Sequence, residues 1–367
     1  MKVALVHDWL TGLRGGERVL EQLCLLYPDA EIFTLVHVPG SCGEIIESHP
    51  IRTSFLDRLP KRAYRHYLPL FPAAIESFDL SAYDLVISTS HAVAKGARPG
   101  PHAVHVAYIH TPMRYVWDQF DAYFGHGRAD VLTRIAARAL APALRRWDVR
   151  STRRVQGLIA NSRFVAGRIR RFWAREVDAV VYPPVDTGRF VPAAEGPAPE
   201  GYALIVSALV PYKRVELAVS AFSRLKRPLW IAGDGPARAR LERAAGPSVR
   251  FLGAVEQDAL PKLYAGARFF VLPGEEDFGI APVEAQAAGR PVLALGRGGA
   301  LETVVDGETG VFFPLPTVAS LLEGIEKIDG LAADPLRIHQ HAAQFDVARF
   351  GPEVRRAIER CLTSARR

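Results

Sequence analysis

Short apolar, β-rich runs alternate with helix-period segments along almost the whole chain, and this alternation limits the fold more than any other feature. Candidate strands lie at 3–6, 32–36, 85–88, 104–109 and 158–160, and a second series lies at 203–206, 229–232, 249–252, 269–272 and 292–295. Segments of helical period such as 17–26 and 215–225 stand between them. Strand, helix and strand in repeated order build a parallel sheet with helices on both faces, the doubly wound α/β class. Between the two series, Pro183 and Pro184 precede the stretch 192–201, which is rich in Pro, Gly and Ala and has linker composition. The expectation is two Rossmann-like domains, an N-terminal one over 1–185 and a C-terminal one over 186–345. A closing helix over 346–367 is expected to return to the first. Ligands of such sheets sit beyond the carboxyl ends of the strands, so two sheets facing one another would build a central cleft.

Composition removes several alternatives. An apolar content of 49% and a mean hydropathy of +0.05 describe a globular protein with a sizeable core. No apolar run approaches the roughly 18 to 20 residues that span a bilayer, and MKVALVHDWL reads as a first strand rather than a secretory signal. Cys24, Cys42 and Cys361 show no CxxC and no metal-ligand spacing, so they read as reduced thiols of a cytoplasmic protein. A net charge of +7 favours anionic partners such as nucleotides or phospholipid headgroups. Nucleic acid is the weaker choice, because no nucleic-acid module or base-stacking aromatic pattern accompanies the basic residues.

The chemistry collects at strand ends. After the first strand, HDWLTGLRGGERVL places Gly15 and Gly16 ahead of a helix that begins at Glu17. Its N-terminal amides suit a phosphate, although a plain β–α turn also explains the glycines, and the spacing is not GxGxxG. His110 ends the strand AVHVAYI and is followed by Thr111 and Pro112, with Arg114, Tyr115 and Trp117 as a polar-aromatic rim suited to sugars. Ser162, after the strand GLIA, reads as an N-cap, and Asn161 and Arg163 beside it are further cleft candidates. In the second series, Lys213 and Arg214 form a cationic pair after a strand, well placed to neutralise a diphosphate. Gly233-Asp234-Gly235-Pro236 reads as a structural turn.

Residues 273–310 hold the strongest pattern. Glu276 and Glu284 stand eight apart, with Phe278, Gly279 and Ile280 between them and a helix expected to start near Pro282. Glu284 could accept the hydroxyls of a ribose, and Glu276 could lie over a sugar. After the strand PVLAL, the turn Gly298-Gly299 leads into Ala300, Leu301, Glu302 and Thr303 and offers backbone amides to phosphate oxygens.

The E-x7-E spacing, with EAQAAGRPVLA and GGALETVVDGETG behind it, resembles the retaining GT-B glycosyltransferases of the glycogen-synthase-like superfamily. The elements HDWLTGLRGGERVL, HTP, NSRFVAGRI, VVYPPVDTGRF, VPYKR and GDGP extend the resemblance along most of the chain. It looks closest to bacterial mannosyltransferases of O-antigen and exopolysaccharide assembly. The resemblance implies an acceptor-binding N-terminal domain, a nucleotide-sugar-binding C-terminal domain, and no cofactor or metal ion. It would place Lys213 on the diphosphate, Glu284 on the ribose, Glu276 on the donor sugar and His110 near the reacting centre. Gly15 and Gly16 would close over the diphosphate, and backbone amides around Ala300 and Leu301 would face the phosphates. Family members commonly carry Arg five positions before the phosphate lysine, where this chain has Ala208. Losing that guanidinium would remove about 1.5 to 3 kcal/mol of charge-assisted binding, and Arg214 is the candidate to compensate.

Two basic segments bear on the acceptor. Residues 52–71 mix Arg58, Lys61, Arg62 and Arg65 with Tyr64, Tyr67, Leu68 and Phe71, and a second group comprises Arg134, Arg138, Arg145, Arg146, Arg150, Arg153 and Arg154. Either could lie on an anionic membrane, peripheral at its inner face, or be an ordinary solvated helix face. The leading expectation is transfer of mannose from GDP-mannose to a lipid-linked glycan in cell-surface polysaccharide biosynthesis. The alternatives are a UDP-sugar transferase of the same fold and a catalytically weakened sugar-nucleotide-binding subunit.

Overall fold

A computed structural model describes residues 1–125, 130–192 and 201–365, and most of the expected linker 192–201 lies outside them. The chain forms two compact units, Met1–Pro184 with Ala348–Arg367, and Val185–Val347. Each is a wholly parallel sheet wrapped by helices.

The first unit carries β1 (Val3–His7), β2 (Glu31–Thr34), β3 (Ile51–Thr53), β4 (Leu85–Ser90), β5 (Val104–Ile109), β6 (Gly157–Ala160) and β7 (Ala179–Val180) in the order β3-β2-β1-β4-β5-β6-β7. The second carries β8 (Tyr202–Val206), β9 (Leu229–Ala232), β10 (Val249–Gly253), β11 (Ala267–Leu272), β12 (Val292–Leu295) and β13 (Gly310–Phe313) in the order β10-β9-β8-β11-β12-β13. The central strands are covered on both faces, which is why β1 and β12 are buried end to end and read as unbroken apolar runs. In each sheet the order reverses beside the first strand, at β1/β4 and at β8/β11. Those reversals are the switch points where open α/β sheets present loops to ligands.

The helices that matter below are α1 (Gly15–Leu26), α2 (Val131–Ser151), α3 (Arg163–Trp173), α4 (Val215–Leu225), α5 (Ile280–Ala287), α6 (Val318–Asp329) and α7 (Val347–Ala365). The apolar stripe of α7 (Phe350, Val354, Ala357, Ile358 and Cys361) packs into the core of the first unit beside Val19, Leu23 and Tyr108. In the second unit α4 and α6 bury Val219, Phe222, Leu321 and Ile325 against β8, β11 and β12. Two sequence expectations need correction. The helix bearing Glu284 starts at Ile280, because Gly279 adopts a left-handed φ of 93° and ends the preceding loop; Pro282 is therefore its third residue and Glu284 lies mid-helix. Likewise α1 starts at Gly15, and Glu17 is its third residue.

Candidate functional site

In the N-terminal unit, the ends of β1, β4 and β5 gather polar groups. Asp8 follows β1 and is fully buried, yet its carboxylate accepts the backbone N–H groups of His91, Ala92, Val93 and Ala94 at 2.6 to 2.9 Å. His91 Nδ1 lies 3.0 Å from the same carboxylate. Burial alone would push the Asp8 carboxyl up, but His91, His7 and the four amides outweigh it and hold the group below its ordinary value. This acid locks the loop after β4 onto the end of β1. His7, also fully buried, has Nδ1 2.6 Å from Thr89 Oγ1, and its Nε2 lies 3.8 Å from Glu17 Oε1. Glu17 is buried near the start of α1, where its other oxygen accepts the Arg14 N–H at 3.0 Å and caps the helix. Burial pushes its carboxyl up as well, and the His7 contact more than reverses that, leaving it lowered.

His110, at the end of β5, joins this group. A Cβ on Gly16 would sit 3.6 Å from His110 Nε2 and 3.7 Å from His7 Cε1, ordinary contact distances, so the start of α1 lies directly against both imidazoles. The predicted Gly15-Gly16 turn and His110 are therefore brought together. Desolvation, with His91 and His7 nearby, pushes the His110 imidazole down to about 3, so the ring is neutral at physiological pH. Its Nε2 is buried without a hydrogen-bond partner among the described residues. A neutral ring with an unused nitrogen can donate to or accept from a hydroxyl.

The expected rim beside His110 is only partly realised. Trp117 stacks one face on Phe172 with centroids 4.9 Å apart and donates its indole N–H to Asp148 at 2.8 Å, so that face and its polar atom serve packing. Ser162 is the N-cap of α3, its hydroxyl accepting the Val165 N–H at 3.0 Å. In the basic segment 52–71, Tyr64 and Phe71 turn inward against Trp9, while Arg58, Arg62 and Arg65 remain exposed.

In the C-terminal unit, the loops after β8 and β11 meet at the switch point. Lys213 and Glu276 form an ion pair, with both side chains partly exposed. Behind them the backbones are in close contact, since a Cβ on Gly274 would come within 2.7 Å of the Lys213 carbonyl oxygen. The turn after β12 joins the same assembly through a bridge between Glu276 and Gly298 and a 2.8 Å hydrogen bond from Gly299 N–H to Glu276 O. Gly298 has φ +66°, and a Cβ there would lie 2.4 Å from Glu276 O; one on Gly299 would lie 2.4 Å from Phe278 Cα. The glycine turn and the glutamate loop are thus one built unit. The Gly299 N–H holds the Glu276 loop, and the Leu301 N–H closes its own turn by donating to Gly298 O at 3.2 Å.

Glu284, on α5, is fixed by the Tyr264 hydroxyl, which donates to Oε2 at 2.7 Å. Tyr264 is fully buried, and burial together with the Glu284 charge holds its phenol well above its ordinary value, so it stays a donor. Ile280 lies one turn before Glu284 on α5. Phe278 is buried, with its ring against Phe345, so its side chain is a packing element. Arg214 is exposed and left-handed (φ 51°) at the start of α4. Ala208 is exposed in the loop after β8, and its neighbours Ser207 and Leu209 donate to Ala232 O and Asp234 O at 3.0 and 2.9 Å. That pairing shows what the GDGP turn does.

The sequence reading passed over His7, Asp8, His91 and Tyr264. The first three had a signal: polar residues at or directly after the ends of the two strands that flank a switch point. Tyr264 had none, since its role depends on a partner twenty residues away.

The model of the Glycosyltransferase Family 4 domain matches residues 13–189, and that of glycosyl transferases group 1 matches residues 192–342. Among curated proteins, a GDP-mannose-dependent alpha-(1-6)-phosphatidylinositol monomannoside mannosyltransferase of Mycolicibacterium smegmatis is 34% identical over 182 residues, 42% of this chain and 47% of the relative. A GDP-mannose-dependent alpha-mannosyltransferase of Mycobacterium tuberculosis is 35% identical over 207 residues, 53% of this chain and 47% of the relative. The chain thus spans about half the length of the curated relatives it matches. Among solved structures, sucrose-phosphate synthase of Thermosynechococcus elongatus superposes with a TM-score of 0.72 at 18% identity, covering 100% of both chains. HepE of Anabaena, solved in complex with UDP, gives 0.66 at 18% identity, covering 98% of this chain and 100% of its own.

Proposed function

The chain belongs to the GT-B glycosyltransferases, and from that premise we propose that it moves mannose from GDP-mannose, with retention of configuration, onto a lipid-linked glycan acceptor. The observation that carries the reading is the Lys213–Glu276 pair, held at the β8/β11 switch point by three backbone-coupled loops. Its cation suits a departing diphosphate, and its carboxylate suits the hydroxyls of the transferred sugar. The choice of GDP-mannose rests on the mycobacterial relatives named above.

In this reading Lys213, with exposed Arg214 beside it, neutralises charge as the diphosphate leaves, and the acceptor hydroxyl attacks the anomeric carbon from the same face. Stabilising the leaving group and positioning the reactants supply the rate. Glu284, oriented by Tyr264, takes the ribose hydroxyls. Glu276 exchanges its pairing with Lys213 for the sugar, which leaves the lysine to the phosphates. The N-terminal unit contributes acceptor binding, with the neutral His110 imidazole as a hydrogen-bonding group for a sugar hydroxyl and the Gly15-Gly16 start of α1 facing phosphate. No metal ion is assigned a role.

An anionic membrane is the second partner in this reading. Val131, Leu132 and Ile135 are exposed at the start of α2 beside Arg134 and Arg138, a mixture suited to a bilayer interface. Among the described residues no helix is long and apolar enough to cross a membrane.

The test is turnover and thermal shift across a panel of GDP- and UDP-sugars. GDP-mannose should give the largest shift and release GDP in the presence of a mannosylated lipid fraction. A preference for a UDP-sugar would overturn the donor assignment, and a nucleotide-dependent shift with no hydrolysis or transfer would overturn the activity.

A further inference from the structure

Trp117, Arg145, Arg146, Val149, Arg150 and Arg153 line an open cavity of about 340 Å³ in the N-terminal unit. That is within the range of roughly 300–1,000 Å³ in which small-ligand sites fall. Its charge follows from helix geometry: Arg146 and Arg150 are one turn apart on α2, and Arg153 follows three residues later in the turn that ends it, so all three share a face.

The walls are fixed by groups that already have partners. Trp117 is held by its stack on Phe172 and its hydrogen bond to Asp148. The Arg145 guanidinium donates to the Val116 carbonyl oxygen and lies 5.5 Å from the Trp117 ring centre. Acids near these residues are neutralised elsewhere. Asp148 pairs with buried Lys95 at 2.6 Å and accepts a second indole N–H from Trp173, also at 2.6 Å. Asp118 is held by both guanidinium nitrogens of Arg168 at 2.7 and 2.8 Å. Among the described residues no carboxylate forms an ion pair with Arg145, Arg146, Arg150 or Arg153. Four guanidinium groups around one cavity repel each other unless an anion joins them, and their forked donors match phosphate oxygens.

We propose that this cavity is a binding site for a phosphate or diphosphate group, with Trp117 and Val149 as the apolar wall for the carbon skeleton attached to it. The group can come from a phospholipid headgroup or from a soluble phosphorylated ligand. The site goes beyond the transferase reading and does not rest on it.

The test is calorimetric titration of inorganic diphosphate into the full chain carrying Lys213→Met, which weakens the proposed donor-phosphate site by removing its central cation. Saturable binding is expected. It should weaken at least tenfold in Arg146→Gln/Arg150→Gln and stay within twofold in Arg355→Gln/Arg356→Gln, which removes the same charge from exposed positions on α7. Absence of saturable binding, or equal losses in the two double variants, overturns the proposal. Flotation with phosphatidylglycerol against phosphatidylcholine vesicles then assigns the source. A headgroup ligand requires loss of flotation in the first double variant alone and competition by diphosphate. A soluble ligand leaves flotation of both variants alike while the diphosphate titration still separates them. Neither readout needs sugar transfer, so failure here and failure of the transferase assignment are separate results.

Discussion

At the β1/β4 switch point of the N-terminal unit, Asp8 is sealed from solvent and saturated by four backbone amides; at the β8/β11 switch point of the C-terminal unit, Lys213 and Glu276 meet with both side chains partly exposed. The two sheets put charge at equivalent places and hold it in different ways. Asp8 is part of the fold, because removing it would strand buried donors. The Lys213–Glu276 pair is an exchangeable contact, since a partly hydrated ion pair gives up little when a ligand replaces one partner. Charge at a switch point is therefore not itself a sign of ligand contact; its exposure and the number of its partners decide.

The strongest way to break this contrast is Asp8→Ala. It should destabilise the N-terminal unit by about 3 to 5 kcal/mol, as loss of a buried, fully partnered charge does, and denaturant unfolding will read it. A loss below 1 kcal/mol would mean that Asp8 is not structural. Lys213→Ala is the converse: kcat/KM for the donor should fall about 100- to 1,000-fold while the unfolding midpoint barely moves. A large loss of stability would place Lys213 with Asp8.

Gly298→Ala tests the coupling of the loops. Its Cβ would press on Glu276 O from a left-handed backbone, so about 1 to 3 kcal/mol of stability should be lost, and donor affinity should fall with it. Unchanged donor affinity would show that the glycine turn does not hold Glu276 in place.

Acid should act on the N-terminal unit first. His105, fully buried with Nε2 2.9 Å from Ser88 Oγ, and His110 are both pushed down to about 3 from an ordinary 6.5, mainly by desolvation. The unfolded chain then binds more protons, so this stability is complete above pH 6.5 and is lost as pH falls toward 3. At pH 5 His105 alone should cost up to about 2 kcal/mol, visible as a lower urea midpoint. A flat profile between pH 7 and 5 would contradict the burial of these rings. The smallest expected effect is a gain: Ala208→Arg should tighten donor binding about tenfold. Equal or weaker affinity would show that exposed Arg214 already fills that role.

Much of the site could be read from residues in a row. Lys213, Glu276, Gly298 and Gly299 stand in loops just after strands, Glu284 follows Glu276 at a visible spacing of eight, and His110 directly follows its strand. The buried strands were legible too, but β3 and β7 were not, because runs of three and two residues show no period; β13 was passed over behind the turn at Gly307. Trp117 read as a sugar-facing aromatic, whereas its indole is committed to Asp148, thirty-one residues away.

Strand runs, turn glycines and the two-unit pattern follow from local sterics and from burial of a regular period, so neighbouring residues are enough to specify them. Strand order, and with it the two switch points, comes only from packing. Lys213 meets Glu276 across 63 positions and Asp8 meets the 91–94 loop across more than 80. Contacts at that separation form only when the whole sheet has closed the chain between them, and no window of adjacent residues carries that information.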